Sequence, residues 1–119
     1  MNDDKERALK AFLVAGGVWA TASVTEQPSL TLAAWSVRRV SNGNTHFVGW
    51  CHENYEGRVS SAIVEFDVQT RRGRTKAGRV YQLAGKPGND GDAEYVWRRW
   101  LLINEESSWT DVTAEVAKL

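Results

Sequence analysis

Apolar and polar residues alternate with a period of two along most of the chain, the pattern of β-strands that bury one face. Asn42-Gly43 marks the clearest hairpin turn, because this pair readily adopts positive φ. Short turns favour antiparallel neighbours, since parallel strands need a long crossover. The pattern predicts about five antiparallel strands: Val18–Thr25, Leu30–Val40, Thr45–His52, Arg58–Val68 and Arg74–Leu83.

Two stretches have the helical period instead. Residues 3–15 form a short amphipathic segment that begins with acidic residues and ends at a Gly pair. Asp92–Glu106 carries apolar residues at i, i+3, i+4, i+7 and i+8, namely Ala93, Val96, Trp97, Trp100 and Leu101. We expect this Trp-rich helix to pack across the sheet. Residues 109–119 fit either a final strand or a short helix.

The resulting fold class is α+β in one domain, residues 1–119. A chain of 119 residues with six Trp can bury a sufficient core without a metal or a disulfide. We expect a curved sheet or a partly open barrel, because Gly49 and Gly78 permit strong coiling of their strands. The N-terminal helix and the Trp-rich helix are expected to pack on this sheet.

Charge, cysteine content and the length of apolar runs limit the partners and the cellular location that we expect. The net charge is zero, so the whole molecule should not be steered strongly towards nucleic acid. Cys51 is the single cysteine, which excludes a disulfide within the chain and favours a reducing, cytoplasmic location. No apolar run approaches about 18 residues, so we expect no signal peptide and no membrane span.

Four segments resemble a known group of proteins. They are Thr45–Trp50, Glu56–Ser61, Gly78–Gly88 and Asp92–Trp97. The chain resembles short uncharacterised bacterial proteins of genomic islands and other mobile elements, over about residues 30–115. This resemblance implies accessory cargo of mobile DNA, among which small inhibitors of host defence and small regulators are common. It transfers no catalytic residue, because the group has no established activity.

A basic hairpin is the first candidate site. Five basic side chains surround the turn at Gly73, with no acidic or aromatic residue among them: Arg71, Arg72, Arg74, Lys76 and Arg79. Such a finger can follow a phosphate backbone, or it can clamp carboxylates of a protein partner. It can equally be a solvated turn whose charges protect a sheet edge from aggregation.

The back of the Trp-rich helix is the second candidate. Tyr95 and Leu102 project away from the apolar stripe at about 100° per residue, and Arg98 and Arg99 flank them. Tyr and Arg are typical of protein-binding hot spots. The alternative is an isolated Tyr and Leu on an ordinary surface.

The sequence provides little support for a metal site or a catalytic site. His46 and His52 would lie about 20 Å apart on one strand, and Cys51 would face the opposite side with Phe47. One metal ion cannot bind all three, so we expect a buried thiol, two histidines at strand edges and no cofactor. No serine lies in a nucleophile motif, so no catalytic residue is assigned.

Three functions stay open at this point. The first is a non-enzymatic protein that binds or inhibits a host protein or nucleoprotein complex; a homodimer is also left open. The second is a nucleic-acid-binding β-module that uses Arg71–Arg79. The third is a small-molecule-binding protein or enzyme with a pocket among Trp50, Trp97 and Trp100, between the sheet and the helix.

Overall fold

A computed structural model describes residues 23–119, which form a seven-stranded sheet and two helices. The elements are β1 (Ser29–Val40), β2 (Thr45–Cys51), β3 (Glu56–Val59), β4 (Ile63–Asp67), β5 (Arg72–Thr75), β6 (Val80–Leu83), α1 (Gly91–Ile103), β7 (Trp109–Asp111) and α2 (Thr113–Ala117). The predicted N-terminal helix and most of the predicted first strand lie outside the described residues. Residues 24–26, which overlap the end of that predicted strand at Thr25, form a turn.

The long strand β1 organises the sheet, whose order is β3-β2-β1-β6-β5-β4. On one side β1 pairs with β2, antiparallel. On the other side its first half pairs with β6 and its second half with β7. The β1–β6 pairing is parallel, so the prediction of a wholly antiparallel sheet is wrong. The intervening strands β2 to β5 supply the long crossover that a parallel pair requires.

Two of the predicted strands are each divided into two. Ser60 ends β3, because its backbone N–H donates to Phe47 O and its hydroxyl accepts from Phe47 N at 2.9 Å. Gly78 turns the chain between β5 and β6 with φ +94, a conformation that favours glycine. These two interruptions turn the four predicted strands of the described region into six, and β7 is the seventh.

The sheet curls around the ring of Phe47. The centroid of this ring lies 5.8 Å from that of Phe66 on β4 and 5.6 Å from that of Tyr81 on β6. Gly73 on β5 leaves space for it, since a Cβ there would lie 2.4 Å from Phe47 Cζ. Among the described strands no ladder joins β3 to β4, so the curved sheet stays open.

The C-terminal segment contains both structures that the sequence left open. Strand β7 pairs with the end of β1, and α2 follows immediately. The hydroxyl of Thr113 accepts from Val37 N at 2.9 Å and thereby anchors α2 beside β1. Within residues 23–119, neither helix has the length and apolar character needed to cross a bilayer.

Candidate functional site

The helix α1 begins at a well-capped N-terminus. The side chain of Asp90 accepts from Ala93 N at 2.9 Å, and Asp92 adds a carboxylate to the first turn. The Asp90 carboxylate satisfies one free amide of the helix start, and both carboxylates repel phosphate. The Gly85–Gly88 loop therefore leads into a helix start that is unfavourable for anions.

The inner face of α1 rests on β3 and β2, as the apolar stripe predicted. Ala93 and Trp97 are both 1% exposed, while Trp100 and Leu101 are half-buried. The rings of Trp97 and Trp100 are stacked, with centroids 5.2 Å apart and planes at 4°. This stripe packs on Val40, Val48 and Val59, which fixes the position of α1 on the sheet.

Beneath the helix lies a buried cation. Arg38 on β1 is 2% exposed and forms an ion pair with Glu94 of α1. Its guanidinium lies 5.3 Å from the ring centroid of Trp97 and 4.7 Å from that of Trp109. Charge pairing and cation–π contacts together offset the desolvation of this group.

His46 lies opposite Arg38 in the β1–β2 ladder and is 4% exposed. Its Nδ1 is 2.9 Å from Ser60 O, so Nδ1 carries the proton and donates to that carbonyl. The ring centroid is 4.6 Å from that of Trp100. Burial lowers the pKa of His46, against weaker raising effects from the Ser60 carbonyl and Glu106. The expectation of a histidine at the strand edge is thus wrong for His46, which is neutral and buried.

Two polar atoms under α1 have no hydrogen-bond partner in the described part of the chain: His46 Nε2 and Trp97 Nε1. The first is an acceptor and the second a donor, given the proton on His46 Nδ1. Buried polar groups are normally satisfied, because an unmade bond costs about 1–3 kcal/mol. The contact between α1 and the sheet therefore contains unsatisfied polar atoms.

The outer face of α1 is exposed as the sequence predicted. Leu102 is 75% exposed and Tyr95 is 44% exposed. Arg98 and Arg99 are also exposed, and the Arg99 guanidinium lies 5.8 Å from the Tyr95 ring centroid. We call these four residues the outer face of α1; whether they bind a partner stays a prediction.

The basic hairpin does not present its five cations together. Arg79 is 5% exposed and its Nε donates to Gln27 O, so it is a buried structural residue. Arg74 forms an ion pair with Glu65 at 2.9 Å. Arg71 is half-buried with its guanidinium 5.4 Å from the Trp35 ring centroid. Arg72 and Lys76 are exposed.

Acidic residues on β4 accompany the cations of β5. In the antiparallel register Glu65 is opposite Arg74, and Asp67 is opposite Arg72. These four side chains border an open depression of about 380 Å³, with Phe66, Gly73 and Val80 also lining it. This cross-strand compensation depends on the β4–β5 register and cannot be recognised from the basic residues of the hairpin alone.

The single cysteine is buried, as expected. Cys51 is 0% exposed and lies in the core cluster with Phe47, while His52 is exposed. Burial raises the pKa of the Cys51 thiol above 9.0, which suppresses the reactive thiolate. Within residues 23–119 no group of three His, Cys, Asp or Glu side chains is placed to hold a metal ion.

Arg38 and Glu94 were not identified from the sequence as a buried pair. The sequence indicates their burial only by position. Arg38 lies between Val37 and Val40 in a strand with imperfect alternation, and Glu94 lies beside the apolar stripe of α1. The pairing depends on how α1 crosses the sheet.

Comparison with protein-family models, with curated proteins and with solved structures finds no match to this chain.

Proposed function

We propose that this protein is a non-enzymatic interaction protein that binds another protein through the outer face of α1. The observation that carries the proposal is the exposure of Tyr95, Arg98, Arg99 and Leu102 on one face of a helix whose opposite face is buried. These residues are spaced i, i+3, i+4 and i+7, so they form one continuous strip.

The anchoring of α1 on the sheet supports the proposal. The Asp90 cap, the buried Trp97 and the Arg38–Glu94 pair hold α1 in place from its other side. A preorganised face loses less conformational entropy on binding than a mobile one. The contact between Arg99 and the Tyr95 ring restricts these two side chains further.

The charge of the strip indicates the partner's chemistry. Both charged members, Arg98 and Arg99, are cationic, and the Glu94 carboxylate of the same helix is turned towards Arg38. The matching surface is an acidic one with an apolar side chain to cover Leu102. A second copy of the chain would place arginines against arginines, which disfavours a symmetric homodimer through this face.

Binding of nucleic acid through Arg71–Arg79 is the weaker candidate. A phosphate-tracking finger needs several free cations, but Arg79 is buried and Arg74 is paired with Glu65. A role in countering host defence remains a proposal that rests on the mobile-element resemblance alone.

Affinity capture from the native host tests the proposal when it is run with matched variants. The wild type is compared with Leu102→Ala/Arg99→Ala on the outer face and with Arg72→Ala/Lys76→Ala on the hairpin. We expect one protein to be captured by the wild type and the hairpin variant and lost with the outer-face variant. The proposal fails if the outer-face variant, shown to be folded by circular dichroism, retains everything that the wild type captures.

A further inference from the structure

Two buried side chains of the sheet, beneath the inner face of α1, can both be cationic. Arg38 and His46 are direct neighbours across the β1–β2 ladder, at 2% and 4% exposure. Opposed residues of an antiparallel pair have Cβ atoms about 4.5–5.5 Å apart. Neutral His46 is compatible with this arrangement, whereas an imidazolium would add a second positive charge to the buried space under α1.

The surrounding groups provide limited compensation for a second charge. From α1, His46 is faced by the rings of Trp97 and Trp100, which can attract an imidazolium through cation–π contacts but offer its Nε2 no hydrogen-bond acceptor. Glu94, the nearby carboxylate of that helix, already pairs with Arg38. From the segment after α1, Glu106 attracts a proton to His46, but this effect is smaller than that of burial. Glu106 is also hydrogen-bonded to the Ser41 hydroxyl at 2.6 Å.

The remaining neighbours do not add a counter-charge. On the β3 side His46 meets the Ser60 carbonyl, which already accepts from Nδ1. On the β7 side Asp111 is paired in register with Arg38, and its carboxylate accepts from Thr113 N at 2.9 Å. A proton on Nε2 would have no acceptor in the described part of the chain, since this atom is buried without a partner.

We propose that His46 is a proton-sensitive latch for α1: protonation of its Nε2 loosens the helix from the sheet. Opening the contact gives the imidazolium access to water, which satisfies its Nε2–H and outweighs the lost contact with the Trp100 ring. The loosening is independent of any ligand. Its consequence for a partner, release from the outer face in mild acid, rests on the proposed function.

The pH window follows from the direction of the titration. The pKa of buried His46 is lowered from 6.5, so the open state takes up the proton first as pH falls through 6.5. Above pH 6.5 neither state takes up this proton, so the open-to-closed ratio does not change with pH. Between 6.5 and the lower pKa of the closed state, the open-to-closed ratio rises by up to about tenfold per pH unit.

Amide hydrogen exchange measured by NMR on the whole chain tests the latch. Protection factors of α1, corrected for intrinsic exchange, are compared at pH 7.5 and 5.5 in the wild type, His46→Asn and His52→Gln. His46→Asn retains a donor for Ser60 O and cannot titrate, and His52 is the matched exposed histidine. We expect α1 protection to fall by up to about tenfold in the wild type and His52→Gln and not in His46→Asn.

Two results would overturn the latch. One is an equal loss of α1 protection in His46→Asn; the other is a loss of the same size throughout the β1–β2 ladder, which indicates global unfolding. If His46→Asn does not fold, the imidazole of His46 in the wild type is titrated by NMR instead. A His46 pKa at or above 6.5 would then refute the latch. Leu102→Ala should abolish partner binding and keep the latch, so the two proposals fail separately.

Discussion

Gly57 on β3 lies directly against the backbone of Ala93 in α1. A Cβ on Gly57 would be 2.2 Å from Ala93 N, a distance that no real structure tolerates. Strand β3 and the first turn of α1 therefore contact each other through their backbones. This contact determines how close the Trp97 ring lies to the sheet.

Replacing Gly57 by Ala should push the start of α1 off the sheet. We expect the free energy of unfolding, measured by urea denaturation, to fall by about 3 kcal/mol, because the obstructing atoms belong to the backbone and cannot rotate away. Gly91→Ala is the matched control, since a Cβ at Gly91 meets nothing within 4 Å. Its effect should stay within about 0.5 kcal/mol. Equal effects of the two changes would show that this close contact does not form.

Trp97 and Leu102 provide a second test of how α1 is oriented. Trp97→Ala should destabilise the protein by about 3–5 kcal/mol, because the ring is 1% exposed and stacks on Trp100. Leu102→Ala should change stability by less than about 0.5 kcal/mol, because its side chain is 75% exposed. Thermal or urea unfolding measures both, and a loss below about 1 kcal/mol for Trp97→Ala would mean that α1 docks by another face.

Much of this arrangement followed from local periodicity. The spacing of Ala93, Trp97 and Trp100 predicted the buried side of α1, and the β2 alternation placed Phe47 and Cys51 together in the core. Both patterns depend only on the geometry of one element, so they can be read without knowing its neighbours.

What could not be predicted depends on contacts between distant elements. The parallel β1–β6 pairing, the burial of Arg79 and the Arg38–Glu94 pair join residues more than 40 positions apart. Arg79 resembled an exposed hairpin cation because nothing local distinguishes it from Arg74. Its burial arises from its bond to Gln27 O, a residue 52 positions earlier.

The Arg38–Glu94 pair should matter more than the Arg74–Glu65 pair. Glu94→Gln leaves Arg38 charged and 3% exposed at its side chain without a full counter-charge, so we expect the free energy of unfolding to fall by about 2 kcal/mol. This is below the ~3–5 kcal/mol of a fully buried pair, because the Glu94 side chain is 29% exposed.

Glu65→Gln is the corresponding change in the exposed pair, whose side chains are 48% and 66% exposed. Its effect on urea unfolding should lie within about 0.5 kcal/mol. Adding Arg38→Met to Glu94→Gln should recover stability relative to Glu94→Gln alone, because it removes the uncompensated charge. No recovery in the double variant would show that Arg38 is not the partner that makes Glu94 important.

Cys51 should be inert in the folded protein. Its thiol is fully buried and has a raised pKa, so a thiol reagent at pH 7 should label it at least about tenfold more slowly than in the urea-unfolded chain. Absorbance of the released chromophore gives both rates. Rapid labelling of the native protein would disprove the buried position and reopen nucleophilic chemistry at this residue.

The salt dependence of DNA binding distinguishes the protein-binding proposal from the basic-hairpin alternative. The exposed hairpin cations Arg72 and Lys76 can neutralise two phosphates, which gives a log–log slope near −1.8 at about 0.9 per contact. Affinity for duplex DNA should then fall only about tenfold between 50 and 200 mM salt, and binding at 150 mM should be no tighter than about 10⁻⁴ M.

Fluorescence anisotropy with a labelled duplex measures this slope for the wild type and for Arg72→Ala/Lys76→Ala. The double variant should show almost no salt dependence, and Tyr95→Ala should bind DNA like the wild type. A steeper slope, near the −3.6 that four phosphate contacts produce, would require Arg71 and Arg74 to leave Trp35 and Glu65 and join the finger. Such a slope, together with tight binding at 150 mM salt, would favour the nucleic-acid function over the outer face of α1.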